Sequence, residues 1–145
     1  IEMIEAVGDK YLNNYFRTIK KSLKINGKAA IQGIIINDDL FDRYRHSEDF
    51  IQKYIFPGGF LPSVNQIKDI SKNNKLNLEK INSYSNDYAK TLSSWRNNFL
   101  NAWDNIAPLG FDDYFKRMWE FYLSYCEAGF KAKNIDLIQF SMSNR

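Results

Sequence analysis

The sequence predicts an α/β fold, and three observations carry the prediction. Residues 29–36 form a nearly all-apolar, isoleucine-rich run of strand length. Segments on both sides of it carry apolar residues three and four apart, the spacing of amphipathic helices. Helix-like and strand-like segments then alternate to the end of the chain, as in helices packed on a sheet.

Each element follows in order. Ile1-Glu2-Met3-Ile4-Glu5 reads as the end of a buried strand running straight into functional sequence, so the chain is expected to be a piece of a longer protein. Over residues 9–24, Leu12, Tyr15, Phe16, Ile19 and Leu23 share one helical face, while Lys10, Asn13, Lys20 and Lys21 lie elsewhere around the turn. Asn26-Gly27 stops that helix. The run at 29–36 is expected to be a strand buried on both faces, as strands of parallel sheets are. Asn37-Asp38-Asp39 ends it, and a short charged helix is expected over 40–55. The strongest loop signal runs from Phe56 through Pro57, Gly58, Gly59, Phe60, Leu61 and Pro62 to Ser63. Ser63 is placed to cap a helix reaching about Ile70, and a strand is plausible over 76–84. Tyr88, Leu92, Trp95, Phe99, Trp103 and Ile106 form an apolar stripe that Pro108-Leu109-Gly110 breaks. A second long helix is expected over 114–131, with Phe115, Met118, Trp119, Tyr122 and Cys126 along one side. A closing strand is expected over 135–142.

Composition bounds the function. A chain of 145 residues, 44% hydrophobic and 26% charged, matches one globular domain. Aromatic residues are in surplus at 16%, which implies a large apolar pocket, a surface that meets lipid or a partner, or a core of big rings. The net charge of +3 includes no block of like charges, which argues against nucleic acid as a partner and suits an anionic membrane surface. The single cysteine, Cys126, excludes an internal disulfide and fits a reducing compartment. No apolar run approaches the roughly 20 residues of a spanning helix, and no signal peptide opens the chain.

No glycine-rich phosphate loop, metal-spaced His/Cys cluster or serine-hydrolase elbow is present, so no metal site is expected. His46, the only histidine, reads as part of a solvated helix face, and Cys126 as a buried core thiol. Three polar residues stand out. Glu5 follows an apolar segment at a place where α/β sheets bind ligands. Gln32 interrupts the isoleucine run, and Tyr88 opens the aromatic helix. A structural alternative stands beside each: a helix-start charge, a satisfied core amide and a core tyrosine.

Several segments, in order, resemble the cyclopropane-fatty-acid synthases. They are Met3-Ile4-Glu5-Ala6-Val7-Gly8, the loop Tyr54-Ile55-Phe56-Pro57-Gly58-Gly59-Phe60-Leu61-Pro62-Ser63, Asp87-Tyr88-Ala89-Lys90-Thr91-Leu92 with Trp95, Phe115-Lys116-Arg117-Met118-Trp119, and Tyr122-Leu123-Ser124-Tyr125-Cys126 with Phe130. The resemblance covers essentially the whole chain and implies the C-terminal part of a Rossmann-like class I methyltransferase sheet with helical lipid-pocket insertions. On that footing residues 1–145 are one partial domain, without the glycine-rich cofactor loop. The implied activity is transfer of a methyl group from S-adenosylmethionine to a cis double bond of a phospholipid acyl chain, followed by proton loss to a bound bicarbonate and ring closure. By matching positions, Glu5, Tyr88, Gln32 and Ile34 belong to the bicarbonate site, with Gln32 standing where family members place a histidine. Tyr54, Phe56, Gly58, Phe60, Trp95, Trp119 and Tyr122 are the implied acyl-chain contacts. The resemblance further implies a cytoplasmic enzyme peripheral to the inner face of the membrane. The isolated chain is expected to bind S-adenosylmethionine poorly, to be inactive and to self-associate. Methylation without ring closure, a non-lipid acceptor, or a non-catalytic module binding acyl chains or protein are the alternatives.

Overall fold

The computed structural model describes residues 1–144, which form two compact units: residues 1–84 with the terminal strand from Ile135 onward, and residues 85–134.

The first unit opens with a single 3₁₀ turn, Ile4–Val7, followed by helix α1, Asp9–Ser22. Strand β1 is Lys28–Ile36, helix α2 is Asp38–Arg45, helix α3 is Val64–Asn73, strand β2 is Asn77–Ser83, and the closing strand, labelled β3 here, is Ile135–Ser143. The sheet order is β1-β3-β2, and both pairings are antiparallel. The last strand therefore lies at the centre, and β1 and β2 run in the same direction on its two sides. The parallel neighbour implied by the apolar run at 29–36 is absent among the described residues. Only alternate positions of β1, Ile31, Gly33 and Ile35, meet the main core, while Gln32 and Ile34 on the other face are half-buried. The run is apolar because Ile36 enters a second cluster with Tyr44 and Phe60.

The main core joins Ile4, Leu12 and Phe16 to Ile67, Leu76 and the β1/β3 residues Ile31, Ile35, Ile138, Phe140 and Met142. Helices α1 and α3 thus cover one sheet face. Phe16 is fully buried, and a ring of that size contributes about 1.5–3 kcal/mol. The helix cap expected at Ser63 is present, its Oγ accepting from Gln66 N at 3.2 Å. The helix expected over 40–55 is broken. It ends at Arg45, and a separate π-helical turn spans Ile51–Ile55 before the Phe56–Ser63 loop. Strand β2 carries a bulge between Leu78 and Lys80, which interrupts its expected alternation.

The second unit is a helical hairpin. Helix α4, Ser85–Asn101, and helix α6, Asp113–Lys131, pack along each other. Between them lie the short helix α5, Trp103–Ile106, and a 3₁₀ turn, Ala107–Leu109. Gly110 closes that turn at φ 103°, a left-handed conformation that glycine takes without a Cβ penalty. Asp112 caps α6 through Oδ1, which accepts from Phe115 N at 2.8 Å. No helix among the described residues is long and apolar enough to cross a membrane.

Candidate active site

The outer edge of β1, away from β3, organises the site. An open strand edge presents unpaired donors and acceptors that need partners. Here Glu2 N donates to Gln32 O at 2.8 Å, Ile34 N donates to the Glu5 carboxylate at 2.5 Å, and Ile36 N donates to Pro62 O at 3.1 Å. The Glu5 side chain takes the place a neighbouring strand's carbonyl would fill. Gly33 permits the close packing of Ile4, the residue before Glu5: a Cβ there would lie 2.5 Å from Ile4 Cγ2, while Glu5 Oε1 would stand at an ordinary contact distance of 3.4 Å.

The second oxygen of Glu5, Oε2, is buried and has no hydrogen-bond partner. Burial pushes the carboxyl above its usual pKa, while the Ile34 N–H and the residue's own N–H pull it back. Tyr15 on α1 shares this environment. Burial raises its phenol, and the negative charge of Glu5 raises it further.

The loop following the π turn is tied to the same place. Phe60 N donates to Glu5 O at 2.9 Å, and a Cβ on Gly8 would come 3.5 Å from Gly58 O. Gly58 itself has φ 81°. The ring of Phe60 is buried against Tyr44 and Phe41, at centroid distances of 5.8 and 6.0 Å. By contrast Tyr54 and Phe56 stand 50% and 56% exposed at the loop's outer side, with Lys53 Nζ 5.4 Å from the Tyr54 ring centre.

Gln32 lies on the sheet face opposite Gly33. Its Nε2 donates to Glu2 Oε1 at 2.9 Å, and its Oε1 accepts from Gln139 Nε2 at 2.9 Å. Both ends of the amide are thus engaged, with one of two Nε2 hydrogens committed to Glu2, but the residue is half-buried rather than part of the core. A shallow recess of about 360 Å³ lies over this face, lined by Gln32, Asn82, Gln139 and Ser141 among others.

Tyr88, Trp95, Trp119 and Tyr122 belong to the second unit. Tyr88 meets Phe130 edge-on at 4.8 Å and Trp95 at 6.0 Å. Trp119 stacks on Phe115 at 5.5 Å and touches Tyr122 at 5.0 Å. His46 is exposed, as its sequence context implies, and Cys126 is half-buried rather than buried. The structure therefore brings Glu5, Ile34 and the Gly58–Phe60 loop together in the first unit, sets Gln32 on the other face of β1, and places Tyr88 within an aromatic cluster of the second unit. Sequence reasoning did not single out Gly33 or Tyr15. An isolated glycine within a strand-like run is the signal for the first, since it marks close approach.

Known proteins are similar to this chain in sequence and in fold. Residues 1–140 match the family described as mycolic acid cyclopropane synthetase. Tuberculostearic acid methyltransferase UfaA1 of Mycobacterium tuberculosis is 42% identical over 98% of this chain and 34% of its own length. The cyclopropane-fatty-acyl-phospholipid synthase of Escherichia coli K12 is 36% identical over 99% of this chain and 36% of its own. The chain thus spans about a third of these relatives. Among solved structures, the cyclopropane synthase MmaA2 of M. tuberculosis superposes with a TM-score of 0.88 at 21% identity, covering 99% of this chain and 53% of that one. Mycolic acid cyclopropane synthase CmaA1, complexed with SAH and CTAB, gives 0.87 at 23% identity, covering 99% and 53%. These likenesses show the fold, which is the class I methyltransferase type with mixed helices and sheet. With nearly its whole length matched, the chain belongs to the mycolic acid cyclopropane synthetase family.

Proposed function

We propose that this chain is the C-terminal, acceptor-side part of a methyltransferase domain that alkylates the cis double bond of an unsaturated phospholipid acyl chain, with S-adenosylmethionine as donor and a cyclopropane as product. The observation that carries this reading is the Glu5 carboxyl, fixed by Ile34 N through one oxygen and buried without a partner at the other. An unpartnered buried carboxylate oxygen suits a ligand that brings an O–H, and bicarbonate is such a ligand. The negative charge of Glu5 also favours a cationic reacting carbon nearby. Ile34's own N–H is already given to Glu5, so its share in holding an anion falls to a bifurcated bond. Bicarbonate would act there as proton acceptor. The cofactor-binding segments implied for S-adenosylmethionine are not in this chain, so we assign none of its residues to that group.

The exposed Tyr54 and Phe56, with Lys53 beside them, support contact with an anionic phospholipid surface. Phe60, Gly58 and the rings of Trp95, Trp119 and Tyr122 are proposed as acyl-chain contacts. A cytoplasmic location at the inner membrane face and self-association complete the reading.

A second outcome, methylation without ring closure, has its own support. Gln32 cannot titrate, its amide is tied to Glu2 and Gln139, and the 42% identical relative is named a methyltransferase. One experiment addresses both. The chain, extended to the length of its relatives, is incubated with S-adenosylmethionine and unsaturated phospholipid vesicles, and the acyl chains are analysed by mass spectrometry and NMR. A gain of one methylene unit as a ring, abolished in Glu5→Gln, is the expected result. The same gain as a branch or exomethylene favours the second outcome. No gain with cofactor bound overturns the lipid acceptor.

A further inference from the structure

We infer that Arg96 and Glu127 form a register clamp that positions the Tyr88 ring, an inference that rests on the assignment of Tyr88 to the acceptor site. Glu127 on α6 is 5% exposed, yet it carries a carboxylate. Its Oε2 accepts from Arg96 Nη2 of α4 at 2.9 Å, and its Oε1 accepts from Lys131 Nζ at 2.5 Å. The two cations hold its carboxyl below the usual carboxylate range in spite of burial.

A buried charged group of this kind adds little net stability compared with an apolar pair of the same volume, because desolvation offsets the attraction. What it fixes is geometry. The Arg96–Glu127 pair ties α4 to α6 eight residues beyond Tyr88. On the other side, Ser85 Oγ, three residues before Tyr88, donates to Phe130 O at 2.6 Å. Tyr88 is thus bracketed by two directional ties between the same two helices, and its ring rests edge-on against Phe130. Sliding α4 by one residue, about 1.5 Å, would break both ties and carry the ring off Phe130. Packing of aliphatic and aromatic surfaces alone tolerates such a slip far better than a hydrogen-bonded carboxylate does. Arg96 and Glu127 touch no reacting atom in this scheme and act through Tyr88.

The test is an apolar replacement in this chain, Arg96→Met with Glu127→Leu, read by the ring-proton shifts of Tyr88, which the Phe130 ring displaces. The expected result is retained cooperative unfolding with Tyr88 signals that broaden and move toward those of free tyrosine. Native Tyr88 signals in the folded double variant would overturn the clamp. If that variant fails to fold, Arg96→Met alone decides, since Glu127 keeps Lys131: displaced Tyr88 signals in a folded protein support the clamp, and unchanged ones overturn it. This readout needs neither cofactor nor lipid, so it stands apart from the proposed reaction. In the extended enzyme the apolar pair should lower kcat roughly tenfold to hundredfold with the KM for phospholipid vesicles unchanged. Displaced Tyr88 signals with undiminished turnover would keep the clamp and remove Tyr88 from the reaction.

Discussion

Glu5 in the first unit and Glu127 in the second are both carboxylates taken out of water, and they are treated in opposite ways. Glu127 has an acceptor bond on each oxygen and two cations, and its carboxyl sits below the usual range. Glu5 has one backbone N–H, one buried oxygen with no partner, and a carboxyl pushed above that range by burial. A saturated carboxylate has no capacity left for a ligand and serves the fold. An under-served one costs stability and keeps a vacant acceptor, which is the pattern expected where function outweighs stability.

Breaking the saturated carboxylate should give the largest effect on the fold. Glu127→Ala leaves the part-buried Arg96 without its acceptor, and a loss of about 2–3 kcal/mol is expected in urea unfolding. The figure stays at the low end of buried-pair losses because Lys131, 65% exposed, can turn to water. Gly33→Ala comes next. Its methyl group would overlap Ile4 Cγ2, so about 1–3 kcal/mol of destabilisation is expected, with Ile34 amide exchange accelerated as a shift of Ile4 moves the adjoining Glu5.

The smallest effect sharpens the comparison most. Glu5→Gln keeps an acceptor for Ile34 N and removes a penalised charge, so at neutral pH stability should hold or rise by up to about 1 kcal/mol. The pH dependences should run in opposite directions. For Glu127, with a folded value below the ordinary 4.5, the stabilising contribution is complete above that value and fades as pH falls through the folded one. The advantage of wild type over Glu127→Gln should therefore shrink in acid. For Glu5, with a folded value above 4.5, the favourable contribution is present below 4.5 and fades as pH rises through the folded one. Glu5→Gln should therefore gain on wild type as pH rises. Parallel curves for the two variants would remove the distinction.

Part of both sites was legible in the residues. Glu5 was picked out by its position after an apolar segment, and Tyr88 by its place at the head of an aromatic stripe. Glu127 falls between Leu123 and Phe130 on the buried face of α6, where a charge needs partners. Its partner Arg96 lies 31 residues away, and spacing within one helix carries no trace of it. Gln32 drew attention as an interruption of the isoleucine run. The engagement of its amide depends on Gln139, opposite it only through the β1/β3 register.

The sequence by itself determined most of the helices and strands, the helix start at Ser63, the break at Gly110 and which faces are apolar, because those signals act within a few residues; it did not foresee the 3₁₀ turn at Ile4–Val7 or the break after Arg45. The tertiary structure alone decided that the last strand enters the centre of the sheet antiparallel to both neighbours, since strand pairing joins segments far apart in the chain. It also decided that the Glu5 side chain accepts from the Ile34 N–H, and that its other oxygen is left without a partner. Hydrogen-bond saturation is a property of three-dimensional neighbours, and those neighbours exist only once the chain has folded.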